Sequence, residues 1–151
     1  MIAMTQLSRE PLDVAAHLEA VASPRAGASA VFVGTVRDHD PEAGGTVVTL
    51  EYSAHPDAER ILAELATRAD AEHEQDPTGL RIAVSHRVGA LAVGEAAIVC
   101  AVSSAHRADA FEVARDVVER VKAGLPVWKR QLESDGTAGW VGLGGLEEAS
   151  A

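Results

Sequence analysis

The sequence has a single cysteine, Cys100, in 151 residues, so no internal disulfide can form, as suits a reducing compartment. Aromatic residues make up only 3% while hydrophobic residues reach 47%. The core must therefore be built from Val, Leu, Ile and Ala. Cys100 sits in the apolar run Ala96–Val102 and reads as a buried, inert thiol. No apolar run approaches the ~20 residues that a membrane span needs. The segment Met1–Leu7 lacks the basic stretch and apolar core of a signal peptide. Positive charge is also short, with 13 basic residues against 23 acidic and a net charge of −10. A chain of that sign repels phosphate backbones at long range, so nucleic acid is not an expected partner. The expectation is a cytoplasmic protein with no membrane contact.

Familiar catalytic signatures are missing as well. The six histidines form neither H-x-x-x-H nor HExxH, and one cysteine cannot build a Cys-rich zinc site, so no metal is expected. No G-x-S-x-G elbow, P-loop or dinucleotide fingerprint occurs, and no resident cofactor is expected.

What is present is a mixed order of strands and helices. Ala3–Leu7 alternates weakly and reads as an edge strand. Pro11–Val21 reads as a short helix, with Leu12, Val14, Ala15, Leu18 and Val21 at helical spacing. Gly27–Val36 is apolar and β-branched and reads as a strand, with Thr46–Tyr52 as its antiparallel neighbour beyond the polar loop 37–45. Pro56–Glu74 has the periodicity of a long helix, and 76–79 breaks it. Leu80–Val88 and Glu95–Ser103 read as strands joined by a turn-containing connection, 89–94. Ala105–Ala123 reads as a helix that turns Phe111, Ala114, Val117, Val118 and Val121 inward and ends at Gly124 and Pro126. Val127–Leu132 is extended. The expected class is α+β with antiparallel pairing, a single domain over 1–143, and a flexible Gly-rich tail over 144–151.

Three features point toward chemistry. Only two of the thirteen basic residues are lysines, Lys122 and Lys129, and both lie in one short stretch. A lysine amine, unlike a guanidinium, can shed its proton and act as base or nucleophile. Second, Ser103-Ser104-Ala105-His106-Arg107 joins a strand to a helix start. Free N–H groups and the helix dipole favour an anion at such a junction, with Ser103 or Ser104 as candidate N-cap. Third, Arg37-Asp38-His39-Asp40 leaves a strand end, where Arg37 offers a planar fork to phosphate or carboxylate. Each feature alone also reads as ordinary surface: chance lysines, a capped helix, a solvated Arg–Asp loop. His86 and Arg87 read as strand-end residues. Together the features suggest a cationic pocket lined by Arg37, His39, His106, Arg107, Lys122, Lys129 and Arg130.

Five ordered segments carry a resemblance: Phe32–His39, Leu50-Glu51-Tyr52, His86–Glu95, Ser104–Phe111, and Lys122 with Pro126-Val127-Trp128-Lys129-Arg130. Together they resemble the large-subunit family of molybdopterin synthase over about Gly27–Trp140. The resemblance implies a hammerhead-type α/β fold with an additional antiparallel sheet, and a homodimer within a heterotetramer. It also implies a small β-grasp, ubiquitin-like sulfur-carrier subunit whose C-terminal Gly-Gly thiocarboxylate reaches the active site. The implied substrate is cyclic pyranopterin monophosphate, and the implied activity is sulfur transfer that forms the molybdopterin dithiolene. Carried over by position, Lys122 and Lys129 are the catalytic candidates. Arg37, His39, His106 and Arg107 are the substrate-binding candidates, with Arg130 as a support for the carrier's terminus. Asp38, Asp40 and Gln131 depart from the residues common in that family. The competing readings are a non-catalytic anion- or partner-binding module of the same fold, and a Schiff-base enzyme using Lys122.

Overall fold

The computed structural model describes residues 1–39, 46–73, 79–134, 136 and 138–141. Among the described residues, eight strands form two four-stranded sheets. The first sheet runs in the order β1 (Ile2–Ser8), β4 (Arg81–Arg87), β6 (Ala96–Ser104), β2 (Ala28–Thr35). The second runs β5 (Gly89–Ala92), β3 (Val47–Ala54), β7 (Val127–Glu133), β8 (Ala138–Val141). Three helices accompany them among the described residues: α1 (Val14–Ala20), α2 (Ala58–Glu72) and α3 (Arg107–Gly124). No helix among the described residues is long and apolar enough to cross a membrane. The expected tail over 144–151 lies outside the described residues.

The central strands explain the arrangement. Along β4 and β6, Ile82, Val84, Ile98, Cys100 and Val102 face α2 and α3, and pack with Leu62, Ala66, Val113, Val117 and Val121. The alternate positions Ala83 and Ala101 face the other way and meet Val21, Leu18 and Met4 beside α1. A strand covered on both faces carries apolar residues without alternation. That is why Ala96–Val102 is one continuous apolar run, and the small residues mark the side where α1 approaches.

α1 is held at that face by a buried histidine. His17 donates through Nδ1 to the Asp13 carbonyl at 2.6 Å, and its Nε2 meets the Ser85 hydroxyl at 2.7 Å. The Asp13 carboxylate caps the helix by accepting from Ala16 N–H. Pro11 therefore precedes the helix, which begins three residues later than its periodicity suggests. On the opposite face, Asp116 of α3 accepts from Arg120 at 3.0 Å and meets His73 Nε2 at 3.1 Å, while Arg120 reaches Glu72 of α2. Partial burial alone would raise the Asp116 pKa, but the Arg120 and His73 hydrogen bonds outweigh it and hold the carboxyl below its ordinary value.

Several expectations need correction. β3 does not pair with β2; it pairs antiparallel with β5 and β7 in the second sheet. A tight hairpin needs a connection of two to five residues or so, and the polar link between β2 and β3 is longer, which frees β6 to take the inner edge of β2. β1 is an edge strand as expected, but it pairs parallel to β4. The 89–94 connection contains strand β5, bounded by Gly89 and Gly94, both at φ +91. The Gly-rich segment after Gly136 contains strand β8. Phe111 is 68% exposed, because the buried stripe of α3 runs through Ala110, Val113, Ala114, Val117 and Val121 and leaves position 111 to one side. The N-cap of α3 is His106, without a side-chain cap bond; Ser103 and Ser104 are buried within β6.

Gly27 sits where the first sheet meets α3. Its N–H donates to the Ser104 carbonyl at 3.0 Å, and a Cβ there would lie 2.4 Å from the Ala105 carbonyl oxygen. Backbone cannot swing aside as a side chain can. Gly27→Ala is expected to lower stability by roughly 1–3 kcal/mol or more through overpacking, read as an earlier urea midpoint at unchanged slope.

Candidate functional site

A cavity of about 370 Å³ opens where the two sheets meet. Its apolar floor comes from Val36, Val47, Leu50, Ala97 and Ile98, with Leu125 and Val127 on the flank. Its polar lining is Arg37, His39, Tyr52, His86, Lys122, Lys129 and Gln131. A few precisely located polar groups over an apolar surface is the usual character of a small-molecule site.

Local geometry brings these side chains together. Arg37 and His39 leave the end of β2, and the chain there is clamped by three backbone bonds. Val36 N–H donates to Glu95 at 2.9 Å, Gly94 N–H to Val36 at 2.7 Å, and Val47 N–H to Asp38 at 2.9 Å. Lys122 lies in the last turn of α3, where the negative end of the helix dipole favours a cation. Leu125 closes that helix by donating its N–H to Val121 at 2.9 Å. The chain then enters β7, where alternation decides what faces the cavity. Val127, Lys129 and Gln131 line it; Arg130, one residue out of phase, is exposed and does not.

Four of the seven residues expected from the sequence, Arg37, His39, Lys122 and Lys129, therefore line one cavity. His106, Arg107 and Arg130 stand outside its lining. For His106 and Arg107 the reason is length. They begin α3 and Lys122 ends it, and 15 residues of helix span about 22 Å. The β2–β6 register agrees: Ala28 pairs with Ser104 at the helix-start end, while Gly34 pairs with Ile98 at the cavity end.

Tyr52, His86 and Gln131 line the cavity without having been assigned a role from sequence. Tyr52 packs edge-on to His86, ring centroids 5.0 Å apart at 84°. Burial raises the Tyr52 pKa above its ordinary value. Burial also lowers that of His86, against a smaller raising effect of its bond to the Arg87 carbonyl. Tyr52 had a signal in sequence, as the only tyrosine of an aromatic-poor chain and in phase with Leu50. His86 had none, since a polar pair at a strand end is ordinary. Arg87 is buried too, with Nη1 3.9 Å from Glu95 and no hydrogen-bond partner for Nε or Nη1. The Cys100 thiol is buried and its pKa pushed up to about 12, so it is no nucleophile near neutral pH. Among the described residues no cluster of three or more His, Cys, Asp or Glu could hold a metal ion.

Residues 7–124 match the family model described as MoaE protein. The chain is 42% identical over 138 residues to molybdopterin synthase catalytic subunit 1 of Mycobacterium tuberculosis, covering 91% of this chain and 89% of that one. It is 38% identical over 138 residues to the molybdopterin synthase catalytic subunit of Bacillus subtilis, covering 91% and 83%. Its fold is similar to the crystal structure of molybdopterin synthase from Staphylococcus aureus, with TM-score 0.80 and 33% identity over 90% of this chain and 95% of that one.

A cavity holding Arg37, Lys122 and Lys129 should bind a small oxyanion. Millimolar inorganic phosphate is expected to raise the unfolding midpoint of the native protein through linkage, and the rise should shrink in Arg37→Ala and in Lys122→Ala. Equal shifts in all three proteins would place the anion elsewhere.

Proposed function

This chain belongs to the MoaE family, and on that premise we propose that its cavity is the reaction chamber of a molybdopterin synthase, in which sulfur from a carrier protein's thiocarboxylate is transferred to cyclic pyranopterin monophosphate. The observation that carries this reading is the meeting of the only two lysines at one cavity, from a helix end and a neighbouring strand. Each transfer forms a carbon–sulfur bond on the pterin side chain as a carbon–oxygen bond there breaks and the oxygen leaves, opening the cyclic phosphate on the way, and water then cleaves the carrier's acyl–sulfur bond to return its terminus to a carboxylate. Lys122 serves as general acid and base, or as the amine facing the thiocarboxylate. Lys129 is the second amine and holds substrate. Arg37 and His39 bind the phosphate side of the pterin. The relatives are named catalytic subunits, a term that implies a further subunit. A small β-grasp carrier with a C-terminal Gly-Gly fits that place, with exposed Arg130 beside the cavity as a support for its terminus. The setting we propose is the cytoplasm.

The separation of His106 and Arg107 from Lys122 is resolved by a homodimer. β2 is an edge strand, and it exposes Val31, Phe32 and Val33 at about two-fifths of their surface, beside the more exposed Phe111 of α3. A second copy lying antiparallel along that edge joins like surfaces about a two-fold axis. The start of one β2 then adjoins the end of the other. His106 and Arg107 of each copy approach the cavity of its partner, and two carriers bind at the outer ends to complete a heterotetramer.

Two experiments test this reading. The first combines the chain, a thiocarboxylated β-grasp carrier and the cyclic pterin monophosphate, with dithiolene read by fluorescence of its oxidised derivative. Product should require all three components. Lys122→Ala should lose at least about a hundredfold in rate, as expected for a general acid–base group, with Lys129→Ala also impaired. Pterin binding without turnover in the complete native mixture would favour a non-catalytic module instead. The second mixes Lys122→Ala and His106→Ala chains after joint refolding. Half the dimers are then mixed, and each has one intact site of two, so activity should recover to about a quarter of native. No recovery above the separate variants would mean that His106 does not serve its partner's cavity.

A further inference from the structure

His86 and Gln131 are buried polar residues of the cavity that the reaction scheme leaves unused, and His86 is the one whose ring is oriented by contacts on two sides. It ends β4, is 7% exposed, and lines the cavity between the two sheets. Its Nδ1 lies 2.7 Å from the Arg87 carbonyl oxygen. A carbonyl only accepts, so Nδ1 carries the proton, and in the neutral ring Nε2 is left with a lone pair. The ring's orientation is fixed on a second side by edge-to-face packing against Tyr52. Around it Arg37, Lys122 and Lys129 are cations that only donate and are suited to phosphate. A fused nitrogen heterocycle also presents N–H and amino groups, which need an acceptor when buried.

Resting on the function proposed above, we infer that His86 contacts substrate, its Nε2 accepting a hydrogen bond from a ring N–H or amino group of the heterocycle, and so discriminates the heterocyclic end of the ligand from the phosphate end. Burial keeps the imidazole neutral by lowering its pKa, which preserves the acceptor. The cavity is thus divided by polarity, with cationic donors for the anionic end and an oriented acceptor for the ring. Tyr52 is a positioning residue in this scheme, because it holds the imidazole plane.

Two isosteric variants separate this contact from a structural role. In His86→Asn the amide reaches the place of Nδ1 and can still bond to the Arg87 carbonyl, but nothing occupies the place of Nε2. In His86→Gln the amide reaches the place of Nε2 and can present an acceptor, while the bond to Arg87 is lost. With carrier and cyclic pterin, His86→Asn should raise KM on the order of tenfold, the scale of one buried hydrogen bond, with kcat changed much less. His86→Gln should stay nearer the native KM even though it unfolds at lower urea. The reverse order, equal KM increases, or no change in either variant would overturn the inference. A native protein that makes no dithiolene would instead reject the function on which it rests. In that case, direct pterin binding to the native, Asn and Gln proteins reads the same ranking without turnover.

Discussion

Covering β6 on both faces is the constraint from which the rest of the molecule follows. The strand is buried along nearly all its length between α1 on one side and α2 with α3 on the other. A strand so enclosed can present chemistry only at its ends. One end opens beneath Ala97 and Ile98 into the cavity. The other delivers Ser103 and Ser104, both buried, to the junction that starts α3. Because α3 returns along the sheet, its far end brings Lys122 back to the cavity. The two functional ends are thereby separated by the length of one helix. Apolar packing, chosen for burial alone, sets the distance between the two ends of α3.

Much of this was legible in the residues. The uninterrupted run Ala96–Val102 marked a buried strand, and helical spacing located α2 and α3 to within a few residues. The paucity of lysine singled out Lys122 and Lys129, which share the cavity. What could not be read was partnership. Nothing local states that β3 belongs to the second sheet, since pairing is decided by which edges remain free after the core closes. Strands β5 and β8 are only four residues each; their pairing comes from β3 and β7 rather than from their own propensity. Phe111 was assigned inward because an aromatic at nearly the right phase looks like core, and the helix is turned just enough to leave it outside. Arg130 could have been separated from Lys129 at once, since neighbours on a strand face opposite ways. His86 was passed over because burial, not identity, makes it informative.

The cavity's electrostatics are local and run against the charge of the whole. A chain with net charge −10 gathers Arg37, Lys122 and Lys129 around one apolar floor. Acidic surface elsewhere discourages indiscriminate binding of polyanions, while the gathered cations make the cavity locally favourable to a small one. Family membership and this arrangement agree: the relatives are named molybdopterin synthase catalytic subunits, and the cavity gathers cations from a helix end, a strand and a clamped loop.

The joint between α3 and β7 has a consequence of its own. Lys122 and Lys129 are linked by a helix end, the residues Leu125 and Pro126, and the first turn of alternation in β7. Chain length here acts as a phase setting. One residue gained or lost in the joint would rotate β7 by half its period and present Trp128 and Arg130 to the cavity in place of Lys129 and Gln131. An amine able to trade its proton would be exchanged for a guanidinium that keeps it. The cavity's charge would be the same, yet a guanidinium would stand where the function proposed above places the second amine. The count of residues from Lys122 to Lys129 is therefore what keeps both amines at one cavity.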